Sequence, residues 1–164
     1  MQKLLDKTGA AIDDDPWQIV WPDQDLPQDQ KHLLLPLDLW LELDKNGDRQ
    51  PTWGVWLNSE DEVEALSGRF AELPCIAINF PGFMDGRGFS SARIIREHYG
   101  YRGPLRALGR IIPEQLLFLA RCGFDSFAVD AERNIPDPRV YFGEFSVNYQ
   151  GSADQPQPLF RRRA

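Results

Sequence analysis

From residue 53 onward the chain alternates short apolar runs with longer stretches of helical periodicity. Apolar runs fall at residues 53–57, 74–80, 105–109 and 126–130, each followed by a polar turn. The run at 74–80 is almost unbroken, which suits a strand buried on both faces. Between the runs, apolar residues three and four apart predict helices over residues 60–70, 90–99 and 113–122. Asn58 or Ser59 is placed to cap the first, with acids in its first turn where the helix dipole favours them. Ser90 or Ser91 is placed to cap the second and Gly100 to end it, while Pro113 opens the third and Gly123 stops it. Four strands alternating with three helices make a parallel βαβ series, an α/β fold. Its sheet would be either a partial TIM-barrel-like arc or an open three-layer sheet.

Before residue 53 the pattern is weaker. Residues 1–16 are polar and acidic and read as a mobile arm, residues 17–21 as a short β segment, and residues 33–43 as a helix with Pro36 in its first turn. Residues 139–149 suggest one more helix, and 151–164 form a linker-like tail ending in three arginines. The expected organisation is an N-terminal arm, short strand and helix over 1–52, an α/β domain over 53–150 and a flexible tail over 151–164.

A 164-residue chain with 42% apolar residues is sized for one core. No apolar run reaches the ~18 residues of a membrane span, and the N-terminus lacks the apolar centre of a signal peptide, so a cytoplasmic location is expected. A net charge of −7 argues against nonspecific nucleic-acid binding, whose affinity comes mainly from phosphate neutralisation. The charge is uneven, however. Residues 85–124 carry seven arginines against three acids, whereas residues 1–84 carry six bases against sixteen acids. A cationic field on an anionic body suits a small anion or an acidic partner surface; solvated helix faces are the plainer explanation.

Cys75 and Cys122 are the only cysteines, and with His32 and His98 they are scattered without the short spacings of a metal site. Cys75 falls in an apolar strand, where a buried, inert thiol is expected. Both histidines stand on polar stretches and read as surface residues. Asp44, Asn46 and Asp48 resemble the start of a calcium loop, but Val55 stands where the bidentate glutamate belongs. No metal and no cofactor are expected.

In parallel α/β sheets ligands bind beyond the C-terminal strand ends. That rule selects Asn58, Ser59, Asn79, Asp85, Gly86, Arg87, Gly88, Gly109, Arg110 and Asp130. Gly86 and Gly88 around Arg87, with Ser90 opening a helix, form a candidate anion cradle that Arg110 would complete. With no histidine on this rim, a general acid or base would be Asp85 or Asp130. The structural alternative is that Arg87 pairs internally with Asp85.

The motif set Phe80-Pro-x-Phe-x-Asp-Gly-Arg-Gly-Phe-Ser-x-Ala-Arg, Tyr99-Gly-Tyr-x-Gly, Leu105-Arg-Ala-x-Gly, Gln115-Leu and Arg121-Cys-Gly-Phe-Asp-x-Phe127 resembles an uncharacterised bacterial domain family. Its members are described as oxidoreductases of sulfite reduction and are encoded beside a sulfite or nitrite reductase haemoprotein. The resemblance covers about residues 54–150, including Phe145-Ser-Val-x-Tyr-Gln150. It implies a role in assimilatory sulfur reduction and cysteine biosynthesis, with the haemoprotein subunit as partner. The chain departs from the family pattern at Asn79, Pro104 and Arg110, which stand where acids are common.

Three functions follow as expectations. The first is an accessory protein of sulfite reduction that binds a small anion such as sulfite or sulfate, docks on the reductase, or both. The second is a small enzyme acting on a sulfur-containing anion through Asp85, Arg87, Arg110 and Asp130. The third is a structural domain whose loop arginines pair for stability. The open edges of a four-stranded sheet would also allow a homodimer.

Overall fold

A computed structural model of the chain describes residues 2–82, 84–130 and 137–143. Its strands are β1 (Gln2–Asp6), β2 (Gln18–Ile19), β3 (Leu33–Pro36), β4 (Gly54–Asn58), β5 (Ile76–Phe80), β6 (Leu105–Gly109) and β7 (Ser126–Asp130). Its α-helices are α1 (Leu37–Asn46), α2 (Arg87–Arg93), α3 (Leu116–Cys122) and α4 (Arg139–Gly143). The strands form one curled, half-barrel sheet in the order β1-β7-β6-β5-β4-β3-β2. Strands β2 to β7 are parallel and follow one another in chain order, and β1 closes the β7 edge antiparallel.

Four expectations about the elements are corrected. The sheet has seven strands rather than about four. Residues 33–36 are strand, not the first turn of a helix: Leu33, Leu34 and Leu35 are all fully buried, so both faces of this run are covered and helical periodicity does not apply. Residues 2–6 are no mobile arm. Leu5 is buried on the helix-covered face, and the Asp6 carboxylate folds the chain back by accepting the Thr8 and Ala10 amides at 2.8 and 3.0 Å. Residues 60–70 form two 3₁₀ turns, Val63–Leu66 and Phe70–Glu72, instead of a helix. Glu60 and Glu64 repel at helical spacing, the Asp61 carboxylate turns back onto the Asn58 amide at 2.7 Å, and Gly68 takes φ +78°. Val63, Leu66 and Phe70 are nonetheless buried, since 3₁₀ turns also bring residues three apart onto one face.

The two faces of the sheet are unlike. Val55, Leu57, Ile76, Ile78, Phe80, Leu105, Ala107 and Phe127 pack under Trp40 of α1, Ala92 of α2 and Leu116 and Leu119 of α3, forming the main core. The opposite, concave face carries Leu34, Trp56, Cys75, Ala77, Leu108 and Ala128, against which Trp17, Ile19 and Trp21 pack. Small side chains on that face leave room for the residues 15–21 to lie across it. The Trp56 indole N–H donates to the Val20 carbonyl at 2.9 Å, and the Trp21 and Trp56 rings stand 5.1 Å apart. Residues 144–149, which the sequence assigns to a helix with 139–143, and the 151–164 tail lie outside the described residues.

Candidate functional site

The polar residues nominated at the strand C-termini do share one rim. Strand β4 ends at Asn58, and Ser59 follows it in a buried position. Strand β5 brings Asn79 alongside, and its side-chain amide donates to the Asn58 side-chain oxygen at 2.9 Å. Strand β6 ends at Gly109, whose φ of +93° and close approach to the Phe80 carbonyl exclude any side chain. The chain then passes to Arg110, whose amide donates to the same carbonyl at 2.8 Å. Asp130 ends β7, and its side chain falls outside the described residues.

The glycine-arginine loop is organised by Asp85. Its carboxylate accepts the Ser59 hydroxyl at 2.5 Å, the Arg87 Nε and Nη2 at 3.0 and 2.8 Å, and the Arg87 backbone amide at 3.2 Å. The last of these fixes the start of α2 at Arg87, three residues earlier than the sequence suggests. Ser90 therefore sits exposed within the first turn instead of capping the helix, and Ser91 is inside it, donating to the Arg87 carbonyl at 3.3 Å. The two glycines serve different ends. Gly86 has open space around it, whereas a side chain on Gly88 would strike the Phe80 ring at 2.7 Å. Gly88 lets α2 pack close to the sheet, and the helix amide expected to face a ligand is taken by Asp85.

The hydrogen bonds from Arg87 and Ser59 hold the Asp85 carboxyl well below the usual carboxylate range. In this arrangement it is a fixed negative charge, ionised at any ordinary pH and weakly basic. Arg87 is 61% exposed at its side chain and keeps an outward edge. Arg110 is also exposed, and its guanidinium makes no hydrogen bond or ion pair with the described residues. Asp61, which the sequence reading passed over, lies on the same rim. Burial raises its pKa despite the bond from the Asn58 amide, with Asp38 and Glu60 adding to the shift. Its position three residues after a strand end was the available signal.

Other arginines of the basic stretch are elsewhere. Arg96 lies at the N-terminal base of the sheet, where Nε and Nη2 donate to the Gly123 carbonyl, Nη1 to the Tyr101 and Gly103 carbonyls, and Nη2 also to Asp125 at 2.7 Å. Two clefts open at this base, of about 240 and 360 Å3, the first lined by Lys7, Arg96 and Asp125, the second by Phe70, Tyr99 and Tyr101, and Arg102 borders both. Arg106 projects from β6 onto the concave face and pairs with Asp15 through two bonds of 2.7 Å.

Both cysteines are buried. Burial pushes the Cys75 thiol up to about 12, partly opposed by Arg106, so it stays protonated and inert. His98 is exposed, while His32 is half-buried with its ring edge-on to Trp17 at 5.3 Å. Among the described residues no cluster of histidine, cysteine and carboxylate has the makings of a metal site, and no helix is long and apolar enough to cross a membrane.

Comparison with curated proteins and with solved structures found no match. A protein-family model does match over residues 54–160, the span from β4 through all the rim residues. The chain belongs to the family described as "Bacterial protein of unknown function (DUF934)".

Proposed function

We propose that the protein is an accessory protein of assimilatory sulfite reduction, which binds a small anion at the C-terminal rim of the sheet and docks there on the sulfite reductase haemoprotein. The observation that carries the anion half is that one cation of the rim is held by an acid and the other is left open. Asp85 holds Arg87 in place, while Arg110, which follows β6 at the same end of the sheet, is exposed and free of the described acids. An exposed guanidinium without a local counter-charge suits sulfite, sulfate or another small oxyanion. The docking half rests on exposed apolar side chains near the same rim, Met84 at 87% and Phe118 at 52%, the latter packed on Phe89 with ring centres 4.8 Å apart. The choice of haemoprotein and of sulfur chemistry comes from the motif resemblance. A cytoplasmic location accompanies this reading.

A second reading, a small enzyme acting on a sulfur-containing anion, is favoured by Asp61. Burial raises its pKa whereas that of Asp85 is lowered, so of the two it is the better suited to exchange a proton.

Thermal unfolding of the purified protein with sulfite, sulfate, phosphate and adenosine phosphosulfates tests the anion half. A ligand of the native state adds about 2.7 kcal/mol at a hundredfold excess over its dissociation constant, and Arg110→Ala should reduce the shift. Co-elution with the haemoprotein subunit, weakened by Phe118→Asp, tests the other half. No anion shift and no complex would overturn the proposal. Turnover of a sulfur anion that Asp61→Asn abolishes would favour the enzyme.

A further inference from the structure

Arg106 stands at the middle of the concave face. Its register neighbours are Ala77 on β5 and Ser126 on β7, both small and neither charged. The sheet thus makes space for a guanidinium and supplies no counter-charge. The face around it is apolar, formed by Cys75, Ala77 and Leu108 with Trp56 and the overlying Trp17. Such surroundings strengthen any ion pair made there and penalise an unpaired charge.

The counter-charge comes from a distant part of the chain. Asp15 reaches the guanidinium end-on, Oδ2 to Nη1 and Oδ1 to Nη2. This uses one of the two forked edges that a guanidinium offers. On the other edge, Nε is buried without a hydrogen-bond acceptor. Burial also differs across the pair. The Arg106 side chain is 7% exposed and belongs to the sheet, whereas Asp15 is 26% exposed and belongs to a strap, residues 13–16, that is exposed throughout. The strap is tied down on either side, by the Ile12 amide to the Leu4 carbonyl and by the Gln18 amide to the His32 carbonyl. The donor is fixed, incompletely satisfied and shielded; the acceptor is carried by a short span that reaches water.

We propose that the concave face is an oxyanion-binding site which the chain keeps closed with its own carboxylate. Asp15 competes internally for Arg106, and a small molecule bearing a tetrahedral or pyramidal oxyanion displaces it, lifting the strap. The apolar wall beside the guanidinium then flanks the remainder of the ligand. This site is separate from the rim and does not depend on the function proposed for it.

Calorimetric titration of the full chain with sulfite, sulfate and phosphate, at constant ionic strength, tests the proposal. Asp15→Asn preserves the shape of the strap and removes the competing charge. It should tighten binding of at least one of these anions by about tenfold, within the usual range of couplings between competing groups. The gain should survive addition of Arg110→Ala and disappear on addition of Arg106→Gln. Hydrogen exchange on the unaltered chain provides a readout independent of any variant's folding. The amides of Asp13, Asp14, Asp15 and Trp17 should exchange faster in an effective oxyanion than in chloride. The proposal is overturned if Asp15→Asn binds none of the anions more tightly than the parent, or if strap exchange is the same in all salts. It is equally overturned if the gain follows Arg110 instead of Arg106, a result that would leave the rim proposal standing.

Discussion

Arg96 and Arg87 sit on one continuous helical stretch, yet the two ends of the sheet use them in opposite ways. At the base, Arg96 is 9% exposed and gives all its N–H groups to three backbone carbonyls and Asp125. The carbonyls belong to residues 101, 103 and 123, which lead into β6 and β7, so this one side chain splices two crossover loops together. Asp125 extends the splice by accepting the Leu105 amide at 3.1 Å. At the rim, Arg87 touches only Asp85 and Ser59 and remains largely in water. The difference teaches that a count of arginines in this stretch mixes unlike roles. Arg96 is fastened to backbone and unavailable to ligands, whereas Arg87 is held loosely enough to meet one.

Breaking this contrast should be easiest at the base. Arg96→Ala strands three carbonyls, and should cost about 3 kcal/mol in urea unfolding, about 1 kcal/mol for each acceptor left without its donor. A loss below about 1 kcal/mol would show that the loops hold without it. Next in size is Gly88→Ala, which forces the new methyl against the Phe80 ring and should cost about 1–3 kcal/mol, read from the same curves.

The rim supplies the smaller effects, and pH sharpens them. Because the Asp85 pKa is lower in the folded chain than its ordinary 3.8, its pairing stabilises the fold above that value. The contribution is lost as pH falls through the depressed folded value. Asp85→Asn should therefore melt earlier than the parent at pH 7, and the two melting curves should converge in strong acid; a gap that persists there would assign the effect to shape instead of charge. Arg87→Ala should move the neutral melting midpoint least of all, since its guanidinium is exposed and screened. A shift as large as that of Arg96→Ala would erase the distinction drawn between the two ends.

The central strands were legible because they are buried on both faces and punctuated by polar turns. Residues 105–109 and 126–130 are β6 and β7 to the residue, and the runs at 53–57 and 74–80 overlap β4 and β5. Strand β1 was not legible. Its pairing partner lies at the far end of the fold, and the acids at 13–15 dominate the local composition. The rim emerged from a topological rule, which locates strand ends and says nothing of who pairs with whom. Thus Asp85 and Arg87 were found, while the role of Gly88 in packing and the earlier start of α2 depended on Phe80 and on the carboxylate geometry. Arg106 shows the limit most clearly. Within Leu-Arg-Ala-Leu it reads as the solvent-facing position of a strand, and its partner lies 91 residues upstream.

The antiparallel closure of β7 by β1 has a bearing on synthesis. Residues 2–6 are made well before residues 126–130 and can pair only when these have followed. Throughout translation the growing half-barrel presents a bare leading edge, and its first strand waits without a neighbour. Long-range pairings of this kind form late and slow folding. Closing this edge of the sheet is therefore the meeting of an early and a late segment, and a chain arrested before β7 would expose two unpaired strands at once.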